Sequence, residues 1–277
     1  MPLLKPEDLL GRLTLGELLF SNDHRVIAIK TILTSLVMLA LGGLFALTFR
    51  TELAAPGIQF LGARPYLGLL TAHGMIMVFG FLIPIVIGIC YYMLPGSLKT
   101  GRLHWAGTAQ ASYWTLALAA VLLIIGRPDF TWTVYAPMSL RVGGELVWMG
   151  YVAVALVGIS EFLAGLVLLR NVFAWKGRWS AMPLMGWGMA SEAALLLFST
   201  PLLFLVGLFL LTDWLGATAL FDPVRGGSTT TFLWMFWFYG HPAVYLPFVP
   251  AIGYDEDSND LRELAEEQDY LLVDAEH

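Results

Sequence analysis

Leu67-Gly68-Leu69-Leu70-Thr71-Ala72-His73-Gly74-Met75-Ile76-Met77-Val78-Phe79-Gly80-Phe81-Leu82-Ile83-Pro84-Ile85-Val86-Ile87-Gly88-Ile89-Cys90-Tyr91-Tyr92-Met93-Leu94 is an apolar run with one histidine inside it and no formal charge. A helix needs about 20 such residues to cross a bilayer. The run is continuous rather than alternating, which excludes a barrel strand. An imidazole at membrane depth is costly unless something there uses it.

Five further runs extend the pattern: Val26–Phe49, Trp105–Ile125, Leu146–Leu169, Met189–Leu211 and Phe232–Ile252. The chain is 58% hydrophobic and 13% charged, with a mean hydropathy of +0.73. Soluble domains carry about 25% charged residues. The expected fold class is therefore all-α: a polytopic membrane protein with six transmembrane helices. Residues 1–25 read as an N-terminal segment, 26–252 as the membrane domain and 253–277 as an acidic tail, with a short helix or disorder equally compatible with Leu261–Val273. Residues 1–30 carry several charges before any long apolar run, so no signal peptide is expected.

The formal charge of −6 belongs to the tail, where ten acidic residues lie between Asp255 and Glu276. The body is slightly basic, so no nucleic-acid partner follows. Cys90 is the single cysteine, which excludes an internal disulfide and argues against a thiolate metal cluster. Lys5, Arg12, Arg25, Lys30, Lys99, Arg102, Arg170, Lys176, Arg178 and Arg262 fall on the N-terminal side; Arg50, Arg64, Arg127, Arg141 and Arg225 fall opposite. The positive-inside rule then places both termini in the cytoplasm or the mitochondrial matrix. Trp132, Tyr135, Trp148 and Trp214 fit an aromatic belt on the far side. Gly126–Gly144 reads as an ordered surface loop.

His73 has two readings, a haem-iron ligand or a core histidine bonded to a neighbouring helix. On the first, Gly74 lets a flat macrocycle approach, and Met75, Met77 and Phe79 supply apolar walls. His241 and Tyr245 share a helix face, beside Pro242. They are either a metal ligand with a proton or electron donor, or two interfacial rings. Arg50 closes the first span and reads as an interfacial anchor. Glu161, inside the fourth span, is either a proton carrier or a protonated acid bonded to another helix. Glu145, Glu192, His24, His104 and His277 are expected in contact with water.

In order, these pieces resemble subunit I of the haem-copper oxidases. The resemblance lies in Asp23-His24-Arg25, Phe49-Arg50-Thr51-Glu52-Leu53-Ala54-Ala55-Pro56-Gly57, Thr71–Phe79, Trp132-Thr133-Val134-Tyr135-Ala136-Pro137-Met138-Ser139, and Phe221-Asp222-Pro223 followed by Trp237–Tyr245. It covers roughly Asp23–Gly253. It implies that His73 is one axial ligand of a low-spin haem, with Arg50 at that haem's periphery. It implies that His241 is one of three histidines on a copper ion, and that Tyr245 supplies an electron and a proton to oxygen. Ala243 stands where many members have a glutamate, and Tyr239 resembles the substitute found in a subset.

The family has twelve spans, and the second axial histidine, the active-site haem ligand and the other two copper histidines lie in spans seven to ten. Where the family has an asparagine and then an aspartate at a proton-channel mouth, this chain has Gly88–Tyr92 and Pro95–Lys99. The resemblance thus implies part of a respiratory terminal oxidase, carrying electrons from cytochrome c or quinol to oxygen. Haem and copper sites would be completed by other oxidase subunits, above all one with the later helices, in a bacterial or archaeal plasma membrane or the mitochondrial inner membrane. The alternatives are a non-catalytic haem-binding or structural subunit, or a truncated product. The lone chain is not expected to be active.

Overall fold

The computed structural model describes residues 14–126, 128–142 and 144–253. Arg127, Gly143, His277 and the tail, with the stretch Leu261–Val273, lie outside the described residues. Among the described residues the architecture is helical, without strands.

A short α1 (Leu15–Phe20) starts at a capping box: Glu17 N–H donates to Thr14 Oγ1, and Thr14 N–H donates to the Glu17 carboxylate. Asp23 then accepts from Arg25 N–H and opens α2 (His24–Glu52). The second span runs unbroken from Ala63 to Ser97. It comprises α3 (Ala63–Met75), a π-helical stretch (Ile76–Leu82) and α4 (Ile83–Ser97). Pro84 has no N–H for the Gly80 carbonyl four residues back, and the ladder ahead of it loosens to i→i+5 spacing.

The next spans are α5 (Ala106–Gly126), α7 (Val147–Val172) and α8 (Leu184–Trp214), with a one-turn α6 (Met138–Arg141) in the connecting loop. Among the described residues, five helices are thus long and apolar enough to cross a membrane. The sixth expected span takes a different form. It is α9 (Thr229–Ala243), 15 residues, followed by turns at 244–247 and a helical segment at 248–253. Pro242 and Pro247 cannot donate, so Val244 N–H and Tyr245 N–H reach back only three residues, to His241 O and Pro242 O.

The closest packing is between α7 and α8. A side chain at Gly158 would meet the Phe204 nitrogen at 2.7 Å, and one at Gly207 would meet the Ala155 nitrogen at 2.5 Å. Glycine lets the two backbones touch, as membrane helices without a hydrophobic drive between them require. Helix α5 lies along α7, α2 along α3 and α4, and α9 along α8. Outward residues such as Val37, Leu44, Leu47, Leu118 and Phe198 are apolar and exposed.

Two buried carboxylates close the loops on the far side. Glu52 accepts from the amides of Gln59, Phe60 and Leu61 at 2.8–2.9 Å. Asp213 accepts from Leu220 and Phe221 at 2.9 and 2.7 Å. Each replaces water that the turn's amides would otherwise need.

Candidate functional site

His73 sits on α3, half-buried, with its Nδ1 2.9 Å from the Gly42 carbonyl of α2. A carbonyl only accepts, so Nδ1 carries the proton. Nε2 keeps its lone pair and has no polar partner among the described residues. Metal-bound histidines are held this way, with the distal N–H donated to a carbonyl. Phe49 packs edge-on against the ring at 5.6 Å. The imidazole is thus bonded to a neighbouring helix, and its Nε2 lone pair meets no polar group among the described residues.

Gly74 does not face open space. A side chain there would meet Cβ of Trp132 at 2.7 Å. Met75 and Phe79 are fully buried inside the bundle and do not form an outer wall. Trp132 packs in turn edge-on against Phe236 of α9 at 6.3 Å. Tyr135 accepts from Trp237 Nε1–H at 2.7 Å. The loop at 128–142 therefore ties the helix of His73 to the helix of His241. It was expected at the surface, but Phe130, Val134 and Ser139 are buried, and Phe130 stacks on Tyr151 at 5.5 Å. Arg50 is exposed at the end of α2, without an ion pair among the described residues.

His241 and Tyr245 are brought together. Tyr245 Oη lies 3.1 Å from His241 Nε2, which leaves Nδ1 as the imidazole's second donor. Both are exposed. His241 faces a groove of about 640 Å³ between α8 and α9, lined also by Ser191, Leu195, Phe198 and Trp237. Among the described residues no three His, Cys, Asp or Glu side chains converge as a metal site.

Behind α9 lies a buried polar cluster. Tyr239 Oη donates to Glu161 Oε1 at 3.1 Å. Glu161 is 1% exposed and its Oε2 has no partner. Glu192 corrects an expectation: it is 0% exposed, because it lies more than two turns inside α8, and among the described residues neither oxygen has a partner. Ser112 and Ser160 bond each other's carbonyls at 2.8 and 2.7 Å next to Glu161. His24 is a second correction, since as the first residue of α2 its side chain is 13% exposed. His104 keeps a partly exposed side chain at the loop edge, with its main chain bonded at both N and O.

Lys30 is the residue that sequence reading missed. It is 5% exposed, donates to Gln110 Oε1 and to Leu19 O, and lies 4.1 Å over the Tyr113 ring. The signal was present: Lys30 and Gln110 both stand near the start of their apolar runs, on the same side of the membrane domain.

The family described as cytochrome c and quinol oxidase polypeptide I matches residues 26–254. The chain belongs to that family. Cytochrome c oxidase subunit 1 of a Synechocystis species is 34% identical over 243 residues, covering 84% of this chain and 44% of the relative. The subunit 1 of Thermostichus vulcanus is 33% identical, with the same two shares. A heme-copper oxidase subunit I+III from Aeropyrum pernix is 31% identical over 84% of this chain and 30% of that protein. The chain thus spans less than half the length of the curated relatives it matches. The family and the apolar helices together make it an integral membrane protein, and the family is one that holds haem and copper.

Proposed function

We propose that this chain forms the N-terminal half of a respiratory terminal oxidase core, giving one imidazole to a low-spin haem and one to copper. The observation that carries this is the paired state of the two histidines. His73 donates through Nδ1 to Gly42 and keeps Nε2 free; His241 holds Tyr245 at Nε2 and keeps Nδ1 free. The remaining donors come from helices outside this sequence, supplied by a partner subunit that seats against the groove at His241. Electrons come from cytochrome c or quinol, and both termini of the membrane domain face the cytoplasm or the mitochondrial matrix.

When bound, haem and copper supply electron transfer and oxygen reduction. The residues of this chain do the rest. Gly42 fixes the tautomer of His73. Arg50 offers an unpaired guanidinium for an anionic haem substituent. Tyr245 Oη accepts from His241 Nε2–H, the tautomer that leaves a lone pair on Nδ1 for copper. Glu161, backed by the Ser112–Ser160 pair, stands as a proton carrier one bond from Tyr239.

The test is the composition of the complex purified from its own membrane. Co-purification with a polypeptide carrying the later helices, and a reduced-minus-oxidised spectrum with copper present, is the expected result. A stable complex with no such partner and no iron or copper overturns it. A second reading, a haem-binding subunit without oxygen chemistry, is favoured by the absence of the channel-mouth asparagine and aspartate. It predicts haem without copper in the same preparation.

A further inference from the structure

At the end of the bundle that holds the start of α2, the loop 98–105 and the segment 174–177 enclose a pocket of about 400 Å³. Lys99, Arg102, His104 and Lys176 line it, and no acidic side chain does. Among the described residues Lys99, Arg102 and Lys176 have no ion-pair partner. Like charges gathered this way repel each other unless an anion sits among them.

The pocket is built rather than accidental. Asn171 is fully buried at the end of α7. Its Oδ1 accepts from His104 N–H at 2.8 Å, and its Nδ2 donates to His104 O at 3.0 Å. This clamp fixes a loop in which Lys99 and Trp105 both hold left-handed backbone, at φ of 53° and 61°. The field inside is positive. His104 is held below its ordinary range first by burial, and then by Arg170, Arg102 and Lys176.

Exposed aromatics mark the level of the membrane surface around it. Trp105, Phe173, Trp179 and Trp187 are 45–62% exposed. Phe173, Trp179 and Trp187 form a ladder with ring centroids 5.8 and 6.3 Å apart. Indoles gather where headgroups lie, and basic pockets between membrane helices take anionic headgroups.

We propose that this pocket binds the phosphate of an anionic phospholipid, phosphatidylglycerol being the probe. The positive-inside rule alone calls for cations anywhere on this side. Arg25 is on the same side and outside the pocket, which provides the control.

The experiment uses the full chain in phosphatidylcholine vesicles doped with spin-labelled phosphatidylglycerol or spin-labelled phosphatidylcholine. Preference for the anionic label is expected, falling about fivefold for each of Lys99→Gln, Arg102→Gln and Lys176→Gln. Arg25→Gln should leave it unchanged. An equal loss in Arg25→Gln overturns the proposal in favour of diffuse surface charge. Inorganic phosphate at matched ionic strength should not displace the lipid; displacement overturns the lipid source. Because variants can misfold, the unaltered chain is also treated with a photoreactive phosphatidylglycerol. Labelling confined to 98–105 and 174–177 supports the site. Scattered labelling, or cross-links from Lys99 or Lys176 to acidic residues of 255–276 in place of lipid, overturns it. None of these readouts involves haem or copper, so failure here is distinct from failure of the oxidase reading.

Discussion

Tyr245 Oη stands 3.1 Å from Nε2 of His241, one turn along a helix that two prolines have tightened. The contact orients the imidazole and engages Nε2, on a residue that lines the groove between α8 and α9. Tyr245→Phe should therefore keep copper loading in the assembled complex while oxygen turnover falls about 100-fold, the scale of losing a positioned proton donor. Metal analysis beside an oxygen electrode checks both parts, and unchanged turnover would refute the role.

His73→Ala should abolish the low-spin haem spectrum, since Nε2 is the free donor on that helix. His241→Ala should keep that spectrum and lose copper and oxygen reduction. Difference spectroscopy on the two variants separates the assignments. A low-spin signal that survives in His73→Ala removes the haem claim.

Glu161 carries a test that divides structure from chemistry. Glu161→Gln retains an oxygen to accept from Tyr239 but carries no proton, so the fold should hold while turnover drops. Glu161→Ala leaves the buried phenol without an acceptor and should cost about 1–3 kcal/mol. Denaturation in mixed micelles measures the second effect, and equal stability of both variants would count against the bond.

Gly207→Val should part α7 from α8, because the first added carbon meets backbone at 2.5 and 2.6 Å, where no rotamer change helps. Overpacking of this kind costs about 1–3 kcal/mol. A lowered unfolding midpoint is expected, and a wild-type midpoint would mean the helices slide freely.

Acid should loosen the loop at 128–142. Asp222 is held below the usual carboxylate range by a hydrogen bond from Arg225, then by Val224 N–H and by Arg141, whose guanidinium lies 2.9 Å away. A depressed carboxyl stabilises above its unfolded pKa, and the effect is lost as pH falls through the folded value. Protection of the Leu140 and Val142 amides, taken relative to their intrinsic exchange rate at each pH, should be constant above pH about 5 and fall below pH about 4. In Asp222→Asn that dependence should vanish.

Much of this was legible in the chain itself. Long apolar runs forced helices, and His73, His241, Tyr245 and Glu161 stood out because each is expensive in hydrocarbon. Other features lay beyond a linear reading. Glu192 sits only a few residues into its run, so its depth depended on where α8 begins. Lys30 found Gln110 across 80 positions of sequence. Gly74 read as room for a ligand, yet Trp132 folds back from a distant loop to fill it. The run Phe232–Ile252 read as one span, yet its regular helix ends at Ala243 and resumes only at Phe248.

The loosened stretch at Ile76–Leu82 has a consequence for evolution and engineering. A π turn carries one residue more than a regular helix of the same rise. Removing a single residue there would let the ladder close as ordinary α and keep Cys90, Tyr91 and Leu94 in phase with the core. The same deletion anywhere else in the second span would rotate them toward lipid, so this is where the span can best survive being shortened.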